Sequence, residues 1–124
     1  MITNYNDIVA ILLVGSYARN MQNEKSDIDL VIISDQWKQF LVNKKWLSYY
    51  GAPLTTNIEY YGLITSLRVK YEQYEIEFGL GSTEWISVPI DNGTKKVLQD
   101  GYKILYERDN SLLQIKQCYK SALS

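Results

Sequence analysis

Seven apolar residues in an unbroken run, Ile8 to Val14, constrain this 124-residue chain more than any other feature. Such a run has no side fit for water, and it is too short for a buried helix, so it predicts a strand covered on both faces. A second run, Ile28 to Ile33, has the same character except for Asp29. Two strands of this kind need layers above and below them, and a chain of this length can build one such core. Length excludes a second full domain, so residues 1–124 are expected to form a single unit.

The rest of the pattern supplies the covering layers. Ser34-Asp35 is a candidate helix cap, and Trp37, Phe40, Leu41, Leu47 and Tyr50 fall mostly on one face of a helix predicted from Gln36 to Tyr50. Gly51 and Pro53 would stop it. Leu63–Tyr71 and Tyr74–Leu80 alternate and are joined by Glu72-Gln73, which predicts a hairpin. Asp91-Asn92-Gly93 marks a turn, with Thr94 as a cap for a short helix over Lys95–Gln99 that ends at Asp100-Gly101. Lys103–Tyr106 reads as a last strand and Ser111–Leu123 as a terminal helix. Trp37, Trp46 and Trp85 are expected to be packing residues. The class is α+β, a mixed sheet flanked by helices.

Missing residue types narrow the chemistry. The chain has no histidine, which excludes Ser-His-Asp hydrolysis, imidazole acid–base work and His-ligated zinc. Cys118 is the only cysteine, so an intrachain disulfide and a CxxC pair are excluded too. One thiol, an N-terminus without the charge pattern of a signal peptide, and no apolar run near the about 20 residues of a membrane span suggest the cytoplasm and no membrane. The formal charge is -1 and the pI about 5.4, which disfavours a nucleic-acid partner. Carboxylates, hydroxyls, backbone amides and Lys/Arg remain, together with a hard metal ion.

Two places concentrate those groups. Gly15-Ser16 follows the first apolar run, where a glycine allows close backbone approach and a following helix start would offer N–H groups to a phosphate. With ten residues between, Ser16 is followed by Asp27 and Asp29, two apart on a predicted strand and so on one face. Paired carboxylates beside Ile28, Leu30 and Val31 need a cation, and oxygen-only ligands of this kind suit magnesium with substrate phosphates.

Gly15-Ser16 with Asp27-x-Asp29 resembles the signature of the DNA polymerase β-like nucleotidyltransferase superfamily, and the stretch GSYARNMQNEKSDIDLVI is similar to its small bacterial members. Those are the minimal and the aminoglycoside adenylyltransferase-like proteins. Asn20 stands where they commonly carry glycine. The resemblance implies transfer of a nucleotidyl group, usually adenylyl from ATP, to an acceptor hydroxyl with release of pyrophosphate. It implies two Mg2+ ions on Asp27 and Asp29, and a third carboxylate from a neighbouring strand that also assists deprotonation of the acceptor. Glu75 and Glu77 share a face and are both candidates; Glu77, between Ile76 and Phe78, is favoured as the residue of a more central strand. Gly15, Ser16, Arg19 and Tyr17 are the expected contacts to nucleotide and phosphate.

The resemblance leaves the acceptor open between a small molecule and a protein. It also implies a partner, either a second copy of the chain or a separate helical protein. Two other classes fit the same residues: an antitoxin-type interaction protein that binds or adenylylates a helical partner, and a degenerate nucleotide-binding module without turnover.

Overall fold

The first apolar run forms β1 (Ala10–Val14), and its place in the molecule accounts for its composition. It lies between β2 (Ile28–Ile33) and β6 (Tyr102–Glu107), antiparallel to both, with Ala10, Leu12 and Val14 buried on one side. The structure, a computed structural model, describes residues 8–15, 27–86 and 92–118. With β3 (Thr55–Tyr61), β4 (Ile64–Lys70) and β5 (Glu75–Gly81) the strands make one six-stranded sheet of order β3-β4-β5-β2-β1-β6. The β2–β5 pair is parallel and the other four are antiparallel.

Alternation along each strand feeds two cores. One face presents Ile32, Leu67, Val69, Ile76, Phe78 and Leu80 to Phe40 of α1 (Trp37–Val42) and to Trp46 and Leu47 of a 3-10 segment, Lys45–Tyr50. The other presents Leu12, Val14, Val31, Ile33 and Tyr102 to Trp85, to Leu98 of α2 (Asn92–Gln99), and to Leu112 and Ile115 at α3 (Leu113–Cys118). The second helix layer covers the β1 and β6 end, whereas Ser66, Arg68, Glu75 and Glu77 occupy the same face towards β3. Polar chemistry is therefore placed beside a core on a single sheet face. Among the described residues no helix is long and apolar enough to cross a membrane.

Several local expectations are corrected. The helix predicted from Gln36 to Tyr50 breaks after Val42, because Asn43 turns to extended backbone and its Oδ1 accepts the Lys45 N–H at 3.2 Å. Ser34 does act at the start, accepting the Gln36 N–H at 3.1 Å, but Asp35 instead accepts Thr83 N–H and Oγ1–H at 3.2 and 3.0 Å. Thr94 is not a cap: α2 already begins at Asn92, and Thr94 is buried inside it. β3 has no counterpart in the predicted elements. It is an edge strand whose exposed side chains give no hydrophobic alternation, and its turn to β4 uses Gly62 at φ 61°. The hairpin around Glu72-Gln73 is present, closed by the Tyr71 N–H to the Tyr74 carbonyl at 2.9 Å. Beyond Cys118 the predicted terminal helix lies outside the described residues.

Candidate active site

Strand register assembles the carboxylates. In the parallel β2–β5 pair Asp29 is the direct partner of Glu77, and Ile28 that of Ile76. Ile76 and Phe78 enter the core on the far face, so Glu77 and Glu75 point to the near one, where Asp29 also stands. Asp27, two residues before Asp29, joins them through a shared ion-pair partner, Arg68. β5 is an inner strand between β4 and β2, so Glu75 and Glu77 are not the stripe of an exposed edge.

The end of β1 closes against the same spot. Gly15 has φ +75°, and a Cβ there would stand 2.3 Å from Asp29 Oδ2. Backbone and carboxylate thus approach closer than any side chain at position 15 would permit. Ser16, Tyr17 and Arg19, the other expected nucleotide and phosphate contacts, lie outside the described residues.

Two residues that the sequence pattern did not single out complete the arrangement. Ser66 is buried on β4 and donates its hydroxyl to Glu77 Oε1 at 2.8 Å. Arg68, the register partner of Glu77, sends Nη2 to Glu77 Oε2 at 2.8 Å and Nη1 to both Asp27 Oδ2 and Glu75 Oε2 at 3.0 Å. Glu59 on β3 lies 4.0 Å from its Nε. The hydrogen bond that Arg68 donates to Glu75 is the main reason that the guanidinium pKa is held above its ordinary value; burial opposes this, and the charges of Glu77, Glu75 and Asp27 add to it. A signal for Arg68 existed in the sequence: alternation in Leu63–Tyr71 puts Ser66 and Arg68 opposite Leu67 and Val69. Only the hairpin register shows that they meet Glu77.

Five carboxylates, Asp27, Asp29, Glu59, Glu75 and Glu77, thus share a sheet face with Arg68. A donor set of carboxylate oxygens at partial exposure suits a hard divalent cation. The described residues do not form a closed cluster of three acidic, histidine or cysteine side chains around a metal-sized space; the Arg68 guanidinium bridges Asp27 and Glu77 instead. Beside the carboxylates opens a cavity of about 460 Å³, lined by Asp29, Glu77 and Asp100 together with Ile64, Trp85 and Val97. Mixed charged and apolar walls of this kind suit a small-molecule site.

The chain is 25% identical over 111 residues to a Methanocaldococcus jannaschii protein named "putative protein adenylyltransferase", a match covering 85% of this chain and 63% of that protein. This chain therefore spans less than two thirds of that relative's length. Among solved structures, a cytoplasmic RNA terminal U-transferase is similar at 12% identity over 77% of this chain and 25% of its own, with a TM-score of 0.48. The Cid1 poly(U) polymerase is similar at 13% identity over 60% of this chain and 24% of its own, with a TM-score of 0.42. TM-scores below 0.5 give these two likenesses no bearing on substrate or acceptor. The description that matches most of the sequence, residues 2–104, is that of a nucleotidyltransferase domain, and the chain belongs to that family.

Proposed function

We propose that this domain transfers an adenylyl group from ATP to an acceptor hydroxyl and releases pyrophosphate, with Asp27, Asp29 and Glu77 as the carboxylates that hold divalent metal. The observation that carries the reading is the register pairing of Asp29 with Glu77, with Asp27 drawn to the same place through Arg68. Asp29 and Glu77 on two adjacent parallel strands, with Asp27 just ahead of one of them, bring carboxylate oxygens to one sheet face beside a cavity, donors of the kind a hard divalent cation takes. When bound, the divalent ions supply charge compensation for the attacking and leaving oxygens of an in-line displacement.

The chain's own residues account for the remainder. Gly15 lets the end of β1 close directly onto Asp29 and so fixes that carboxylate in place. The acceptor oxygen forms a bond to the α-phosphorus while the bond from that phosphorus to the bridging oxygen of pyrophosphate breaks. The hydroxyl proton passes to Glu77 Oε2, the oxygen that Arg68 Nη2 now holds, while Ser66 fixes Oε1. The apolar part of the cavity, with Ile64 and Trp85, receives the uncharged portion of a substrate. A protein hydroxyl is the preferred acceptor, a reading supported by the name of the Methanocaldococcus jannaschii relative.

The test is calorimetry of ATP binding with and without Mg2+, on the wild-type chain and on Asp27→Asn and Asp29→Asn. The expected result is magnesium-dependent ATP binding that either substitution abolishes. ATP affinity indifferent to both magnesium and the aspartates would overturn the assignment. Pyrophosphate release with candidate protein acceptors then separates turnover from binding alone.

A further inference from the structure

A site that needs three carboxylates is built here with two more nearby, and an arginine lies among them. Arg68 is not at the rim. It starts on β4, faces Glu77 on β5 in register, and reaches past that strand to Asp27 ahead of β2. Its two terminal nitrogens are divided unequally. Nη2 holds Glu77, while Nη1 is shared by Asp27 and Glu75 at equal distances of 3.0 Å. A guanidinium can divide itself in this way because its N–H groups are fixed in a fork, which a lysine ammonium cannot reproduce.

We infer that Arg68 is the resident cation of this carboxylate face and a positioning residue: it holds Asp27 and Glu77 in place and competes with divalent ions for them, while Glu75 keeps its guanidinium alongside. This rests on the metal-holding assignment proposed above. Five carboxylates on one sheet face repel one another, and Arg68 is the cation that bridges three of them. A divalent ion at Asp27 and Glu77 must replace contacts that Arg68 now makes. Glu75 is bonded to the same Nη1 as Asp27, and Glu59 lies near Nε, so the guanidinium keeps partners when those contacts are lost. The two spare carboxylates are explained together: Glu75 shares Nη1 and Glu59 lies near Nε, so both serve Arg68, while Asp27, Asp29 and Glu77 serve the metal.

The test titrates Mn2+ alone, without nucleotide, into the full chain by calorimetry. Wild type, Arg68→Met, Arg68→Lys, Glu75→Gln and the double variant Arg68→Met/Glu75→Gln are compared. Freeing Asp27 Oδ2 and Glu77 Oε2 from the guanidinium that now holds them should tighten Mn2+ binding about tenfold in Arg68→Met. Arg68→Lys should stay near wild type, because the charge is kept. Glu75→Gln should change affinity by less than about threefold once Arg68 is Met, since it acts through that residue. In the wild-type chain, Mg2+ should shift the Arg68 Nε–H NMR signal with the same midpoint as binding, a readout that needs no variant.

Binding in wild type that is equal or weaker in Arg68→Met, or an Arg68 signal unmoved by Mg2+, overturns the competition. A tenfold loss on adding Glu75→Gln to Arg68→Met makes Glu75 a metal ligand and overturns its role as anchor. No Mn2+ binding in wild type or in Arg68→Met overturns the metal reading itself, which is a separate outcome.

Discussion

Oδ2 of Asp29 occupies space that a Cβ on Gly15 would need, 2.3 Å from where that atom would stand. The turn after β1 and the carboxylate of β2 are thus one packing unit, although 14 positions separate them in sequence. Gly15→Ala must push Asp29 aside and also place a side chain at φ +75°, which costs about 1–2 kcal/mol for a non-glycine residue. The expected outcome is a modest fall in the denaturation midpoint together with a loss of magnesium-dependent ATP binding larger than that fall explains. Calorimetry at a temperature where both proteins are folded separates the two.

The part of the site carried by local pattern was legible in the sequence, and the part set by register was not. Asp27, Asp29 and the Glu75/Glu77 pair follow from alternation along single strands. That Asp29 meets Glu77 depends on a parallel pairing between segments over forty positions apart, which no local pattern encodes. Ser66 and Arg68 were hidden for the same reason, since their partners lie across the β4–β5 ladder. β3 escaped because this edge strand is largely exposed on both faces, which leaves no apolar face to alternate, and its Glu59 went with it. The apolar runs were read correctly because burial on both faces leaves few other options.

Glu75 and Glu77 should separate sharply in turnover. Glu77 is the register partner of Asp29 and is held by Ser66, whereas Glu75 is bonded to Arg68. If Glu77 takes the acceptor proton and holds metal, Glu77→Gln lowers the adenylyl-transfer rate by at least about 100-fold. Glu75→Gln, acting through Arg68, should lower it by less than about tenfold. Initial rates of pyrophosphate release, measured at saturating ATP, provide the comparison. Equal losses in the two variants would contradict the division of roles.

Trp46 joins the two pieces of the broken helix to the sheet. Its ring stands edge-on to Phe78 at 4.8 Å and to Phe40 at 5.7 Å, and its Nε1–H donates to the Phe40 carbonyl at 3.0 Å. Trp46→Ala removes a fully packed aromatic and should cost about 3–5 kcal/mol. Trp46→Phe keeps most of the ring but leaves the carbonyl without its donor, and should cost about 1–3 kcal/mol. Urea denaturation followed by circular dichroism measures both. A cost near zero for Trp46→Phe would mean that the hydrogen bond contributes nothing.

Glu107 makes the stability of the chain depend on pH. On β6 it accepts the Leu112 N–H at 2.9 Å and the Lys116 ammonium at 2.8 Å, and so fastens α3, with Leu112 and Ile115 buried, onto the sheet. Burial alone would raise its pKa, but the hydrogen bonds from Lys116 and the Leu112 N–H, with the Lys116 charge, outweigh it and hold it below the ordinary glutamate value. A carboxylate whose folded-state pKa is depressed stabilises fully above its unfolded pKa, and the contribution is lost as pH falls through the folded value. Wild type should therefore exceed Glu107→Gln in stability by about 0.5–1 kcal/mol at pH 7, the range of a partly screened ion pair. That margin should shrink towards zero as the pH drops from about 5 to 3, through ordinary glutamate titration and below. Chemical denaturation of both proteins across that interval measures the difference directly. A margin that stays constant down to pH 3 would show that the glutamate's charge is not its source.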